Sequence, residues 1–239
     1  MRPVGQSAVD GTGAAPRLYI FDMGGVVSRN TSVAAAVASR LGLSVDEFFA
    51  AAGAVPGGDG SSPYDHGDIR AIQAGEMDAD AFWGRLLARS AGLFPGRPIP
   101  VPVTPGGGWE DLWATEFRPK LDPEIVALIA NLKASSSRVV CGTNTLAAHY
   151  AVHQALGDYA CFDRVYASHL MGKVKPDAAF WLEILTREGV GAGEAFFVDD
   201  SAANVLSAAA LGLNVHRYRG PAELRAALAG GCRSPCPVL

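Results

Sequence analysis

Long apolar runs are missing from this chain of 239 residues, and none approaches the roughly 18 residues that a membrane-spanning helix needs. An excess of basic residues is missing too, because 20 basic and 24 acidic side chains give a net charge of −4 and the basic ones are scattered. Nothing therefore predicts nucleic acid or a membrane as a partner. The first 16 residues lack the apolar centre of a secretory signal, which favours a cytoplasmic protein.

Cysteine is scarce, with four residues in the whole chain. Cys141 and Cys161 lie in apolar stretches and are expected to be small core residues. Cys232 and Cys236 lie in a Pro-rich tail at a spacing that is compatible with a metal or a disulfide. Because no second pair completes a metal site, a loose tail is the favoured interpretation.

Short runs of β-branched and aromatic residues alternate with helical patterns over much of the chain. The runs predicted as strands are 18–21, 138–142, 164–167, 195–198 and 214–218. The helices predicted between and after them begin at Asp122 and cover 145–156, 177–188, 201–211 and 221–229. This alternation predicts an α/β fold in which a doubly wound, Rossmann-like parallel sheet is covered by helices on both faces.

After the first strand the alternation stops for a long stretch that contains no convincing strand. The helices predicted in this stretch are at about 31–42, 44–53 and 78–91. Ser44 and Glu47 predict a capping box at the start of the second one. A Pro- and Gly-rich segment follows at 92–109 and is a candidate lid, interface or connector.

We interpret residues 30–118 as an α-helical cap that is inserted into a core formed by residues 17–29 and 119–230. Residues 1–16 and 231–239 are predicted to be flexible segments. The sequence leaves a monomer and a homodimer equally open.

Four polar features fall where the predicted parallel strands end, which is the edge at which such sheets bind ligands. In the stretch FDMGG, Asp22 follows the first strand and can be a nucleophile, a metal ligand or a turn-forming residue. Thr143 and Asn144 follow another strand and can hold an anionic oxygen or cap the next helix.

The other two features lie later in the chain. Lys175 precedes a proline and a helix, which suits a lysine that neutralises an anion. Asp199 and Asp200 end an apolar strand, where two adjacent acids need a cation such as Mg²⁺. Ser201 is expected to cap the next helix, and Asn204 to face back toward the acids. A nucleophilic carboxylate, anion-binding donors, a lysine and a metal site together favour phosphoryl transfer.

With these residues, the sequence resembles the haloacid dehalogenase-like (HAD) hydrolase superfamily, in the branch with an α-helical cap after the first strand. The stretches FDMGGVV, VVCGTNT, GKVKPD and FFVDDSAANV are similar to its four motifs in order and spacing, over residues 17–219. The stretch IQAGEMDADAFW at 72–83 also resembles the Gly-Glu turn and helix of such caps.

The resemblance implies roles for individual residues. Asp22 is the implied nucleophile, which forms an aspartyl-phosphate. The implied ligands of Mg²⁺ are Asp22, the backbone carbonyl of Gly24, Asp199 and Asp200. The implied ligands of the phosphoryl group are Gly25, Thr143, Asn144 and Lys175, and Lys175 also pairs with Asp22.

Gly24 departs from the family pattern, because related phosphatases carry there a second Asp that protonates the leaving oxygen and then activates water. General acid-base help of this kind is worth roughly 10²–10⁴ in rate. Glycine still offers its carbonyl to the metal. We therefore favour a Mg²⁺-dependent phosphatase that acts on a small phosphorylated metabolite. The Gly-containing branch resembles sugar phosphatases acting on glucose 1-phosphate, whose leaving group departs more readily than a simple alkyl alcohol.

Two alternatives remain open. A metal-independent dehalogenase-type hydrolase releases a halide that needs no proton, but such relatives carry a different residue pair after the nucleophile and lack the metal acids. The other alternative is a catalytically weak protein that binds a phosphate ligand or regulates a partner.

A substitute for the missing acid has three candidates in the cap: Asp65, His66 and Glu76. A solvated cap surface is the simpler explanation for each of them. Trp109 and Trp113 can close over a sugar ring or simply pack a helix.

Overall fold

The computed structural model describes residues 15–54, 62–100, 103–104 and 108–229. The strands in this part of the chain are β1 (Leu18–Phe21), β2 (Ser28–Arg29), β3 (Lys120–Leu121), β4 (Arg138–Thr143), β5 (Arg164–Ala167), β6 (Ala195–Asp199) and β7 (Asn214–Arg217). Five of them form a parallel sheet in the order β5-β4-β1-β6-β7.

Strand β1 lies at the centre of this sheet. It pairs with β4 on one side and β6 on the other, so that Phe21 stands opposite Cys141 and Val198. All four residues of β1 are buried. A strand covered on both faces is apolar throughout instead of alternating, which is the pattern of LYIF. The residue after β1 therefore lies at the middle of the carboxyl edge of the sheet.

The helices of the described residues follow in chain order. They are α1 (Ala34–Arg40), α2 (Val45–Ala51), α3 (Gly67–Gln73), α4 (Ala79–Leu93), α5 (Leu112–Thr115), α6 (Pro123–Ala134), α7 (Ala147–Leu156), α8 (Ser168–Met171), α9 (Ala178–Glu188), α10 (Ala202–Ala210) and α11 (Pro221–Ala229). Short 3₁₀ turns lie at Pro63–Asp65, Asp158–Cys161 and Ala192–Glu194.

The sheet has a hydrophobic core on each face, because successive side chains of a strand point to opposite sides. Leu18 and Ile20 pack on one face against α9 and α10. Tyr19 and Phe21 pack on the other face against α6 and α11. The predicted doubly wound α/β fold is therefore confirmed.

The predicted strands of the sheet and their following helices agree with the structure to within about two residues at each end. The expectation of no strand in the stretch after β1 is wrong. There β2 pairs antiparallel with β3, with Ser28 opposite Leu121, where the chain leaves the sheet and returns to it. Two-residue strands are too short to show an alternating pattern, which is why the sequence does not reveal them.

Helices α1 to α5 lie between β2 and β3. Three of them, α1, α2 and α4, correspond to predicted helices, whereas the short α3 and α5 were not predicted. The predicted capping box is present, since the Glu47 amide donates to Ser44 Oγ at 3.2 Å and the Ser44 amide to Glu47 Oε2 at 2.8 Å.

The inserted helices share a hydrophobic cluster of their own. Its centre is Trp113, whose ring centroid lies 5.4 Å from that of Phe82, 5.7 Å from that of Trp83 and 5.8 Å from that of Phe48. Aromatic pairs at such distances add to the free energy gained by burial. Trp113 is thus the packing residue around which the insertion is built.

Helix α3 is one part of the insertion that contacts the sheet domain. The Ser168 hydroxyl donates to the carbonyl of Gln73 at 2.7 Å, and Arg70 Nη2 lies 2.5 Å from Asp177 Oδ2. Gly75 has a positive φ of +70°, and a Cβ there would lie 2.3 Å from the carbonyl oxygen of His169. The insertion therefore meets the sheet domain backbone to backbone beside β5.

Most residues of the segments predicted to be flexible, and with them Cys232 and Cys236, lie outside the described residues. Cys141 is fully buried as expected, and Cys161 is half-buried. In the part of the chain that the structure describes, no helix has the length and apolar character needed to span a bilayer.

Helix α9 offers a test of the sheet core. Ile184 is fully buried in it, whereas Leu182 on the same helix is half exposed. We expect Ile184→Ala to lower the free energy of unfolding by about 2–5 kcal/mol, because a cavity remains. Leu182→Ala should cost less than about 1 kcal/mol. Urea unfolding of both variants checks this, and equal losses would contradict the assigned packing.

Candidate active site

The carboxyl edge of the sheet collects the polar residues that the sequence singles out. Asp22 follows β1, and its amide donates to the Val198 carbonyl at 2.9 Å, so the pairing of β1 with β6 continues into the loop. Thr143 ends β4 and Asp199 ends β6, on either side of Asp22. Neighbouring parallel strands thus place the three side chains together.

Lys175 links two of these positions from a distant part of the chain. Its Nζ lies 2.8 Å from Asp22 Oδ1 and 2.7 Å from Asp199 Oδ2. The lysine side chain is 2% exposed, and its Nζ also lies 5.6 Å from the Phe197 ring centroid. A buried ammonium between two carboxylates is a strong electrostatic contact that fixes both acids.

Asp199 is held by further donors. The Ser201 amide donates to its Oδ1 at 2.8 Å, and Asn204 Nδ2 donates to both oxygens at 3.1 and 3.0 Å. Ser201 also caps α10, as predicted, by accepting from the Asn204 amide at 3.5 Å. Asn204 faces back toward the acids as the sequence predicts. Asp199 is therefore a fully buried anchor with both oxygens engaged.

Asn144 positions the loop that carries Lys175. Its Nδ2 donates to the Lys175 carbonyl at 2.9 Å, and its Oδ1 accepts from the Lys175 amide at 2.8 Å. These bonds use one of the two N–H donors of Asn144 Nδ2, and contact of Asn144 with a phosphoryl oxygen stays a prediction. Thr143 is buried at the same edge, and its binding of phosphate stays a prediction.

Electrostatics at this edge are dominated by burial and by an excess of acids. Burial raises the pKa of Asp22 from 3.8 to about 7, with Lys175 opposing the shift and Asp199 adding to it. Burial opposes the charge on Lys175, but Asp199 and Asp22 outweigh it and raise its pKa. Burial, followed by Asp199, also raises the pKa of Asp200. Because the pKa of Asp22 is raised, its contribution to stability falls as the pH rises from about 4 to about 7.

The donor set fits a divalent cation. Ligand oxygens of Asp22, Asp199 and Asp200 lie within 4.8 Å of one another. Three carboxylates face the single ammonium of Lys175, which leaves negative charge for a further cation to neutralise. Oxygen ligands of this kind suit Mg²⁺.

Gly24 and Gly25 shape the loop after Asp22. The Gly25 amide donates to the Ser28 carbonyl and the Ser28 amide to the Met23 carbonyl, and neither bond uses the carbonyl of Gly24. Gly25 has a φ of +78°, and a Cβ there would lie 2.4 Å from Asp200 Oδ2. Glycine is therefore required at 25 by both the backbone and the neighbouring carboxylate.

Thr31 occupies the space beside Gly24. A Cβ at position 24 would lie 3.3 Å from Thr31 Oγ1. The φ of Gly24 is not positive, so the backbone itself admits a side chain there. The hydroxyl of Thr31, in the segment that leads into α1, therefore borders the space that a side chain at position 24 would enter.

A cavity of about 380 Å³ opens on the sheet edge. All the sequence-predicted site residues line it: Asp22, Gly24, Gly25, Thr143, Asn144, Lys175, Asp199, Asp200, Ser201 and Asn204. The insertion and α7 supply lining residues that the sequence did not single out: Thr31, Ser62, Tyr64, Ile69, Gln73, Phe117, Leu146, His149 and His153. The edge of the sheet and the insertion therefore enclose one site together.

Sequence reasoning missed the two histidines of α7. His149 stacks on Phe117 with ring centroids 3.9 Å apart, and His153 Nδ1 lies 2.7 Å from Asp158 Oδ2. Burial lowers the pKa of His149 to about 3 and also lowers that of His153. Their i, i+4 spacing on a helix that follows Thr143 was the available signal.

The candidate substitutes for the missing acid do not line this cavity. Asp65 is half-buried, and burial raises its pKa, but it is not among the lining residues, nor is His66. Glu76 is exposed and lines a separate cavity. Trp113 does line the site, whereas the partly exposed Trp109 does not.

A family model of haloacid dehalogenase-like hydrolases matches residues 16–212. The match includes four of the five strands of the parallel sheet, all but β7, together with Asp22, Thr143, Lys175, Asp199 and Asp200 at the sheet edge. The chain belongs to the haloacid dehalogenase-like hydrolase family and is an enzyme of the hydrolase class.

One relative is a phosphatase by name. The sesquiterpene phosphatase astK of Aspergillus oryzae is 32% identical over 93 residues, which cover 38% of this chain and 47% of that protein. The match thus spans about half the length of this relative.

Solved structures share the fold. A HAD-like family hydrolase from Porphyromonas gingivalis has a TM-score of 0.63 at 22% identity, covering 89% of this chain and 98% of the other. A HAD family enzyme from Bacteroides thetaiotaomicron, in complex with magnesium and inorganic phosphate, has a TM-score of 0.55 at 17% identity, covering 84% and 93%. At such identities the likeness concerns the fold.

The contacts of Lys175 predict that its loss destabilises the protein more than loss of the neighbouring Lys173. Lys175→Met removes the charge between two buried carboxylates and should cost about 3–5 kcal/mol at pH 8. At pH 5 the cost should be smaller, because the raised pKa of Asp22 lets it take up a proton. Denaturant unfolding at both pH values measures this.

Lys173→Met is the matched control. Lys173 is partly exposed and lies 3.4 Å from Glu183, so its loss should cost less than about 1 kcal/mol at either pH. Equal and pH-independent losses in the two variants would show that Lys175 does not hold the two carboxylates.

Proposed function

We propose that this protein is a Mg²⁺-dependent phosphatase that hydrolyses a small phosphomonoester through an aspartyl-phosphate on Asp22. The observation that carries the proposal is the contact of Lys175 with Asp22 and Asp199 beside Asp200, at the edge of a cavity. Phosphoryl transfer needs a positioned nucleophile and positive charge around it, and these residues supply both.

The metal would be held by Asp22, Asp200 and the carbonyl of Gly24. Asp200 is the more exposed acid of the pair, while Asp199 has both oxygens occupied by hydrogen bonds and stands beside the site. When bound, Mg²⁺ supplies neutralisation of charge on the phosphoryl oxygens. Lys175, Thr143 and the backbone N–H groups of the edge would hold the remaining oxygens.

Asp22 attacks in the first half-reaction. Lys175 occupies its Oδ1, which leaves Oδ2 to form the new bond to phosphorus. The bond from phosphorus to the alcohol oxygen breaks, and both electrons stay on that oxygen. Because residue 24 has no acid, the departing oxygen takes its proton from water. In the second half-reaction water attacks the phosphorus and passes a proton to solvent, while the bond from phosphorus to Asp22 Oδ2 breaks with both electrons staying on the carboxylate. Inorganic phosphate leaves and Asp22 is restored.

The comparisons support this proposal. The fungal relative is named a sesquiterpene phosphatase, and the Bacteroides enzyme shares the fold and was crystallised with magnesium and phosphate. The absence of an acid at 24 favours an alcohol that departs readily. We propose further that residues 30–118 act as the cap over the core, and that the protein is cytoplasmic.

Phosphate release from a panel of phosphomonoesters, with and without Mg²⁺, tests the proposal. We expect Mg²⁺-dependent turnover, and a loss of at least about a thousandfold in Asp22→Asn. The variant should keep its thermal stability, because an amide replaces one of several like charges. Turnover that survives in Asp22→Asn would exclude Asp22 as the nucleophile.

Two other results would replace the proposal. Chloride release from 2-chloropropionate in the presence of a chelator would indicate a dehalogenase. Thermal stabilisation by phosphate and Mg²⁺ without turnover of any ester would indicate a protein that binds a phosphate ligand.

Gly25 provides a test of the metal site. Gly25→Ala places a Cβ against Asp200, so it should abolish thermal stabilisation by Mg²⁺ and lower turnover by at least about a hundredfold. Gly189→Ala is the control, because Gly189 also has a positive φ but open space around it. It should lose only about 1–2 kcal/mol of stability and keep its response to Mg²⁺. The same response to Mg²⁺ in both variants would rule out Asp200 as a ligand.

A further inference from the structure

The site cavity has a part that phosphoryl transfer does not use. Away from the sheet edge it is lined by Tyr64, Ile69, Trp113, Phe117 and Leu146, which we call the leaving-group chamber. Four of the five residues are buried, and three are aromatic. In the proposed reaction this chamber receives the alcohol part of the ester.

Charge is confined to the other end of the cavity. Among the described residues, the acids and lysine that line it are Asp22, Lys175, Asp199 and Asp200, all of them at the sheet edge. His149 borders the chamber but stays neutral near pH 7, because burial lowers its pKa to about 3. No carboxylate or guanidinium of the described insertion is available there to bind hydroxyl groups.

The polar side chains of the lining are mostly engaged with the protein. Gln73 Nε2 donates to the Tyr64 carbonyl at 3.0 Å, and Ser62 Oγ accepts from the Tyr64 amide at 3.3 Å. Both side chains thus stabilise the turn that carries Tyr64.

Four lining side chains keep a buried polar atom without a partner: Tyr64 Oη, Trp113 Nε1, His149 Nε2 and Tyr159 Oη. Because these atoms are shielded from solvent, they offer few hydrogen bonds to the hydroxyl groups of a ligand. A sugar carries more hydroxyl groups than these atoms can satisfy, and burying an unpaired hydroxyl opposes binding.

Resting on the proposed phosphatase function, we infer that the substrate is a phosphate monoester of an apolar, hydrocarbon-like alcohol. The phosphate lies at the sheet edge, and the hydrocarbon part fills the leaving-group chamber against aromatic faces. A cavity of about 380 Å³ falls in the size range of small-molecule sites.

Two esters with the same type of leaving oxygen test this inference separately from any effect of the leaving group's reactivity. 2-Phenylethyl phosphate and glucose 6-phosphate are both esters of primary alcohols, so their difference reports on the chamber. We expect kcat/KM for 2-phenylethyl phosphate to be at least about tenfold higher. An equal or higher value for glucose 6-phosphate would overturn the inference.

Acetyl phosphate separates the inference from the proposed function, because its acyl group is too small to need the chamber. Hydrolysis of acetyl phosphate without a preference for 2-phenylethyl phosphate refutes the inference alone. Failure to hydrolyse any of the three refutes the proposed function. In that case the thermal stability of Asp22→Asn is measured with 2-phenylethyl phosphate and with glucose 6-phosphate. A larger rise in melting temperature with 2-phenylethyl phosphate would show that the chamber prefers the apolar ester.

Two isoleucines on α3 allow a test of whether the substrate preference arises from contacts in the leaving-group chamber. Ile69 lines the site cavity, whereas Ile72 is similarly buried on the same helix and does not. Ile69→Thr should lower the ratio of the rates on 2-phenylethyl phosphate and acetyl phosphate by about tenfold. Ile72→Thr should leave the ratio unchanged. The same ratio in both variants would show that Ile69 does not contact the alcohol.

Discussion

The buried ammonium of Lys175 is the interaction on which the site depends. It joins the loop before α9 to the ends of β1 and β6, through Asp22 and Asp199. Breaking such a buried contact leaves uncompensated charge in a low-dielectric interior, so the three elements are held as a unit. The sheet supplies the spacing, because β1 and β6 are hydrogen-bonded neighbours in register. Asn144 completes the arrangement by hydrogen-bonding to both the backbone carbonyl and the backbone amide of Lys175.

Asp199 and Asp200 are adjacent acids that the sequence does not distinguish, but their environments in the structure differ. Asp199 is fully buried and accepts bonds from Lys175, Ser201 and Asn204, whereas Asp200 is exposed and lies against Gly25. Asp199 is paired with the lysine, whereas Asp200 is exposed at the cavity. This division explains why the loop after β1 needs a glycine at 25, since a side chain there would take the place of the second carboxylate.

The parallel sheet and the group of polar residues at its carboxyl edge could be predicted, because hydrophobic periodicity locates the strand ends and a parallel sheet brings those ends together. Asp22, Lys175 and Asp199 each follow an apolar run or a Pro-bounded turn, and such signals are local. The chamber was not predictable, since residues such as Ile69 and Phe117 look like ordinary core residues until the insertion packs on the sheet. The same holds for Thr31, which matters only because it fills the space beside Gly24. Helix α3 escaped prediction because it is short and begins at a glycine with a positive φ.

The hydroxyl of Ser168 connects the insertion to the binding edge. It lies 2.7 Å from the carbonyl of Gln73 on α3, and it accepts from the amide of Thr145 at 2.9 Å. Thr145 directly follows Thr143 and Asn144, so one side chain bridges helix α3 of the insertion and the loop after β4. The position of the insertion and the order of the loop after β4 are therefore coupled through the orientation of a single hydroxyl group.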